Sequence, residues 1–367
     1  MPTSASDVYE MSSSPRPEPD HHRLLATLAR HGRLAAAATL FSSAVRTTRA
    51  LNTILAALCS SPALVCVAPS VLLLAAPTAA PDAATFRVLA SALCRARRPS
   101  AAADLLRLMP PLLLDPDYPL CAAVLSSLCA HAPATHAAAF LHDMSRWGLL
   151  VPSPSSGSGH HHRAVLRALL RDGLPAEAYE VLTEAMASDG VAPRPADFEL
   201  LLRVFADAGD FAAVDQAFDE MLLRGIVPDT PVYAAYLAAL CGRGDLPGAR
   251  RMLGCMARAG CPPDARAFGV VVAGCARAGD HAAAGEVARE AVRRGLRWDA
   301  PALAELVGEL RASGHLAAAQ GTLLDLFLDG GCAGVDASAF GRMICASEED
   351  CAPSPSLVGI APAVSRR

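Results

Sequence analysis

TPVYAAYLAALCGRGDLPGARRMLGCMARAGCPPD, residues 230–264, is followed without a gap by ARAFGVVVAGCARAGDHAAAGEVAREAVRRGLRWD, residues 265–299, and each stretch is 35 residues long. Superimposed, they place an aromatic fourth (Tyr233, Phe268), Gly-Asp fifteenth and sixteenth (Gly244 and Asp245, Gly279 and Asp280), Ala twentieth and Asp last. Within residues 230–264, Tyr233, Leu237 and Leu240 recur at helical spacing until Gly244 breaks the pattern. Leu246, Ala249, Leu253 and Met256 then form a second amphipathic stretch, which Gly260 ends and Pro262 with Pro263 keep from continuing. The unit is a helix-turn-helix. Two helices of about thirteen residues cannot bury their apolar faces alone, so neighbouring hairpins must stack into one continuous core.

The same ruler extends in both directions. Residues 195–229 repeat Phe198, Gly209, Asp210, Met221, Gly225 and a final Asp229. Residues 48–82, 83–117 and 118–152 follow in register, carrying LNTILAALC, TFRVLASALC and LCAAVLSSLC. Residues 159–194 are one residue longer than the period and 300–336 two longer; a shortened unit occupies 18–47. The expected fold is therefore an all-α solenoid of about nine helix-turn-helix repeats spanning 18–336. Residues 1–17 are expected to be a disordered N-terminal segment, and 337–367 a cap and tail.

Composition limits what such an array can do. Apolar residues make up 53% of the 367-residue chain and charged residues 19%, too apolar for a disordered polymer. Every basic residue is Arg, the mark of a compositional bias that lowers the weight of any single Arg. The net charge of −4 is not the footprint of a strongly basic nucleic-acid binder. It is unevenly spread, however: eleven Arg against six acids in residues 1–110, and two Arg against eight acids in 195–229. Any contact with an anionic polymer is expected on the N-terminal side.

The twelve cysteines contain no CxxC and no zinc spacing, so no cofactor or metal is expected. Cys59, Cys94 and Cys129 stand 35 apart and read as one buried position recurring in successive first helices. The apolar run 63–81 is interrupted by Pro69, Pro77 and Pro81, which argues against a membrane span. His160, His161 and His162 follow the Ser/Gly-rich stretch 153–159 and read as a solvated loop; 153–158 reads as a hinge.

An aromatic at position four, Gly at fifteen, Ala at twenty, Met near twenty-seven and a Gly-x-x-Pro-Asp ending resemble the pentatricopeptide repeat family, here its P class of plant organellar RNA-binding proteins. The resemblance implies that the solenoid takes a right-handed superhelical course and that the first helices line a face along which single-stranded RNA runs, one base per repeat, read by the fifth and last residues. Those positions hold Asn52 with Asp82, Arg87 with Asp117, Ala234 with Asp264, and Gly269 with Asp299. They also hold Ala122 with Pro152, Arg163 with Arg194, Glu199 with Asp229, and Ala304 with Asp336. Of these pairs, only Asn52 with Asp82 is a combination that the family uses, and the resemblance implies that it favours uracil. Ala or Gly at position five cannot hydrogen-bond a base, so a short footprint is expected. Arg95, Arg98, Arg171, Arg243 and Arg277 are candidate phosphate contacts.

The expected function is organellar RNA metabolism: transcript stabilisation, processing, splicing or translation. The alternative is a protein-interaction scaffold, for which the acidic 195–229 unit speaks. No enzyme is expected, because residues 337–367 lack the His-x-Glu and Cys-x-x-Cys of a zinc deaminase-like domain and no Lys exists for a phosphate-binding loop. The resemblance implies a mitochondrial or chloroplast address, mitochondrial first, although residues 1–20 are acid-rich for a transit signal. Other expectations are protein partners, no membrane and a monomer.

Overall fold

A computed structural model describes residues 21–44, 47–61, 63–75, 79–150, 159–312 and 314–344. The segments expected to be a disordered N-terminus (1–17), a hinge (153–158) and the end of the tail lie outside these residues. The described chain is helical, with no strand and a single isolated β-bridge between Trp298 and Cys332.

First helices begin at Thr48, Ala83, Tyr118, His160, Pro195, Thr230, Ala265 and Ala300, one period from each to the next except between Tyr118 and His160. The reason is local. A Gly in the left-handed region closes most first helices, as at Gly209, Gly244 and Gly279, where φ is +74°, +81° and +77°. The following Asp then caps the second helix: Asp210, Asp245 and Asp280 accept from the backbone N–H three residues on, at 3.1, 2.8 and 2.9 Å.

Departures from the period have visible causes. In 159–194 the stretch from Gly173 to Gly190 is one residue longer than its counterpart from Gly244 to Gly260. The second helix absorbs that residue by changing to π pitch over Val181–Ala185. In 300–336 the two extra residues lengthen the closing turn. That turn pairs with the preceding one: Trp298 N–H donates to the Gly331 carbonyl at 2.7 Å, and Ala333 N–H to the Trp298 carbonyl at 2.8 Å. In 48–82 the second helix is only Ala68–Ala75, because Pro69 is tolerated in a first helical turn and not further in. Among the described residues no helix is long and apolar enough to cross a membrane.

The chain divides into two compact bodies, residues 1–174 with 184–191, and 175–183 with 192–367. In the first, the first helices from His21–Arg30 to His160–Arg171 pack on one another in sequence; in the second, those from Pro195–Asp207 to Ala337–Ile344 do the same. Phe86 and Phe140 in the first body, and Phe198, Phe268 and Trp298 in the second, are fully buried between hairpins. Each such side chain contributes about 1.5–3 kcal/mol by leaving water.

The recurring cysteine position is less uniform than its spacing implies. Cys59 is buried, whereas Cys94 and Cys129 are half-buried. The histidine tract is not a loop. His160–His162 form the first turn of helix His160–Arg171, and His162 is buried with Nε2 2.7 Å from Asp189, which also binds the Ser145 hydroxyl. Burial pushes the His162 pKa down despite Asp189, which favours a neutral ring donating to that carboxylate. No group of side chains suited to a metal ion occurs among the described residues.

Candidate nucleic-acid interface

The last residue of a repeat stands immediately before the next first helix, and in most repeats it is Asp. Its Oδ1 accepts from the backbone N–H three residues into that helix: Thr85 to Asp82 at 2.8 Å, Val232 to Asp229 at 3.1 Å, Ala267 to Asp264 at 2.8 Å and Ala302 to Asp299 at 2.9 Å. A residue expected to read bases is thus also a helix N-cap. The sequence signal for this second role is the Asp that precedes most first helices.

In the first body, stacking of first helices brings the fifth residue of a repeat to this cap. Asn52 Nδ2 donates to Asp82 Oδ1 at 3.1 Å across 30 residues of chain. Thr85, fully buried, holds its hydroxyl 2.6 Å from Asn52 Oδ1 and 2.8 Å from Asp82 Oδ1 and accepts from the Asp82 N–H at 3.1 Å. This network fixes the Asn52 amide with its oxygen toward Thr85 and one N–H toward Asp82, leaving the second N–H and Asp82 Oδ2 for a ligand. Burial opposes the Asp82 charge, but the hydrogen bonds from Asn52 and Thr85 outweigh it and hold the carboxyl below its ordinary pKa. The pair opens onto a cavity of about 830 Å³ lined also by Ala26, Thr48, Arg49 and Thr53.

The next pair is an ion pair. Arg87 lies 3.1 Å from Asp117, both exposed, and Asp117 makes no side-chain cap bond. Arg95 closes its helix and Arg98 precedes the second one, each exposed and without a carboxylate partner among the described residues.

Elsewhere the expected readers are not displayed. Ala234 and Gly269 are buried, with only Asp264 and Asp299 carrying polar side chains at those sites. A Cβ at Gly269 would lie 3.4 Å from Trp298 Nε1, a buried donor with no partner among the described residues. Glu199 is tied to Arg203 at 2.9 Å, Arg163 is buried, and Pro152 lies outside the described residues. Two candidate phosphate contacts are also engaged: Arg243 with Asp215 at 2.6 Å, and Arg171 with the Cys129 carbonyl at 2.8 Å.

Residues 84–110, which span most of the hairpin 83–117, match the family model for the PPR repeat. No curated protein matches the sequence at a significant level. Among solved structures, the chain is similar to the pentatricopeptide repeat protein PPR10 in complex with an 18-nt psaJ RNA element, at 18% identity and a TM-score of 0.47, covering 94% of this chain and 52% of that one. It is similar also to PPR10 from maize, at 19% identity and a TM-score of 0.41, covering 94% and 53%. The chain thus spans about half the length of the solved structures it matches.

Proposed function

We propose that this chain, a pentatricopeptide repeat protein by its unit at 84–110, binds single-stranded RNA along its N-terminal first helices. The observation that carries the reading is the Asn52–Asp82 pair held by Thr85 over an open cavity. A free amide N–H beside an anionic acceptor complements a base edge with a carbonyl oxygen next to a ring N–H. Among pyrimidines that edge is uracil's, since the corresponding cytosine nitrogen accepts. Thr85 and Asp82 already hold the Asn52 amide in place, so a base meets it without reordering the side chain.

Arg49 lines the cavity beside this pair, and Arg95 and Arg98, at the far end of helix Ala83–Arg95 and before the helix that follows, add exposed cations for phosphates, which position a strand while base contacts specify it. The buried Ala234 and Gly269 add no such readout, consistent with a short footprint toward the N-terminal side. The protein acts by occupying RNA, in organellar transcript stabilisation, processing, splicing or translation, as a monomer in the mitochondrion. Crosslinking and sequencing of RNA bound to the tagged full chain tests this: a recurrent uridine-containing site is expected, and recovery of no RNA above background would refute it. A fluorescent fusion tests the address, and a cytosolic signal would remove it.

A further inference from the structure

We infer that the crevice between the second helices of units 230–264 and 265–299 docks an acidic segment of a protein partner. Helix Leu246–Arg258 carries Arg250, Arg251 and Arg258 and no acid. Helix His281–Arg293 and the turn after it carry Arg289, Arg293, Arg294 and Arg297 against Glu286 and Glu290. Between the two helices lies a cavity of about 520 Å³, within the range of ligand clefts, walled by four of these arginines and both glutamates.

The internal pairing leaves a surplus. Arg250 meets Glu286 at 3.3 Å, with both side chains about half exposed. Glu290 is shared by Arg293 at 2.5 Å and Arg294 at 2.9 Å, and Arg294 also lies over the Phe268 ring at 5.4 Å. Arg289 makes no ion pair among the described residues, although it also lines a small cleft with Asp325 and Asp329 on its other side. Four guanidinium groups therefore face two carboxylates. Exposed ion pairs of this kind contribute little stability, so an incoming carboxylate exchanges with Glu286 or Glu290 at small cost. The planar guanidinium accepts it through two parallel N–H bonds.

The chemistry favours a polypeptide over a nucleic-acid strand. Glu286 and Glu290 repel any incoming anion, but a peptide brings backbone N–H donors for them together with acidic side chains for the arginines, whereas a phosphodiester group brings acceptors alone. The crevice is also built from second helices, while the Asn52–Asp82 pair belongs to first-helix and cap positions. This inference does not rest on the RNA reading.

The test uses the full chain, a fluorescein-labelled ten-residue Glu-rich peptide, its Gln counterpart and a uridine-containing RNA. The wild type should bind the Glu peptide and not the Gln one, with affinity falling as salt rises. Arg289→Ala with Arg293→Ala should weaken peptide binding at least about tenfold, or about 1.4 kcal/mol. Glu286→Gln should strengthen it, and RNA affinity should stay unchanged in both variants. Equal binding of the two peptides, or insensitivity to both variants, overturns the proposal. A parallel loss of RNA affinity also overturns it, by assigning the crevice to RNA.

Discussion

The side-chain amide of Asn52 donates to Oδ1 of Asp82 at 3.1 Å, and that same oxygen accepts the Thr85 backbone N–H at 2.8 Å. One carboxylate oxygen therefore starts the next helix and orients the neighbouring reader, while the other remains available. Folding and recognition share a residue, and substitutions must separate the two roles.

Caps and ion pairs at the last position should differ in cost. Asp264→Ala removes a cap bond of 2.8 Å and should destabilise the protein by about 1 kcal/mol, with Asp264→Asn closer to neutral. Asp117→Ala removes only an exposed ion pair and should cost less than about 1 kcal/mol. Denaturant melts of the three variants decide this; equal losses at both positions would remove the distinction.

Acid should act through Asp82 in a defined direction. Its folded pKa is depressed, so the stability it adds is present above the unfolded value, about 3.9, and is lost as pH falls through the folded one. Melts between neutral pH and strong acid should show wild type losing more stability than Asp82→Ala over the acidic interval. Parallel curves for the two proteins would contradict the assignment.

Close helix approach depends on Gly274. A Cβ there would fall on Cys241 Sγ and within 2.5 Å of Cys241 Cβ, where successive first helices meet in the core. Gly274→Ala should destabilise by about 1–3 kcal/mol despite the better helix propensity of Ala. Placing Gly at 241 as well should recover most of the loss, and thermal melts of the single and double variants measure it. A single variant as stable as wild type would show that the helices separate freely.

Much of this fold was written in the period. The Gly-Asp turns at 244 and 279 and the terminal Asp residues locate helix ends, because each is a backbone requirement that recurs with every unit. Side-chain environments were harder. His162 looked like part of a polar run but is buried because Asp189, 27 residues away, supplies a partner that no local pattern announces. The basic crevice was hidden for another reason. Unit 265–299 holds six Arg and four acids, and a sum over the unit mixes the caps Asp280 and Asp299 with the second-helix face.

Arg95 and Arg98 should contribute affinity without preference. Replacing either with Ala should weaken uridine-containing and uridine-free RNA alike and flatten the dependence of log K on log salt by about 0.7 for each phosphate no longer neutralised. Binding isotherms at several salt concentrations measure the slope. An effect confined to one sequence would make these residues readers instead.

The most direct test of RNA recognition at the Asn52–Asp82 pair is equilibrium binding of wild type and Asn52→Ala to two labelled oligonucleotides, one containing uridines and one with every uridine replaced by cytidine. Asn52→Ala leaves the Asp82 cap bond to Thr85 in place and removes only the amide. Wild type should prefer the uridine oligonucleotide, and the variant should bind it about tenfold more weakly, about 1.4 kcal/mol, with little change on the other. Equal affinity of wild type for both, or an equal loss on both in the variant, would contradict the account.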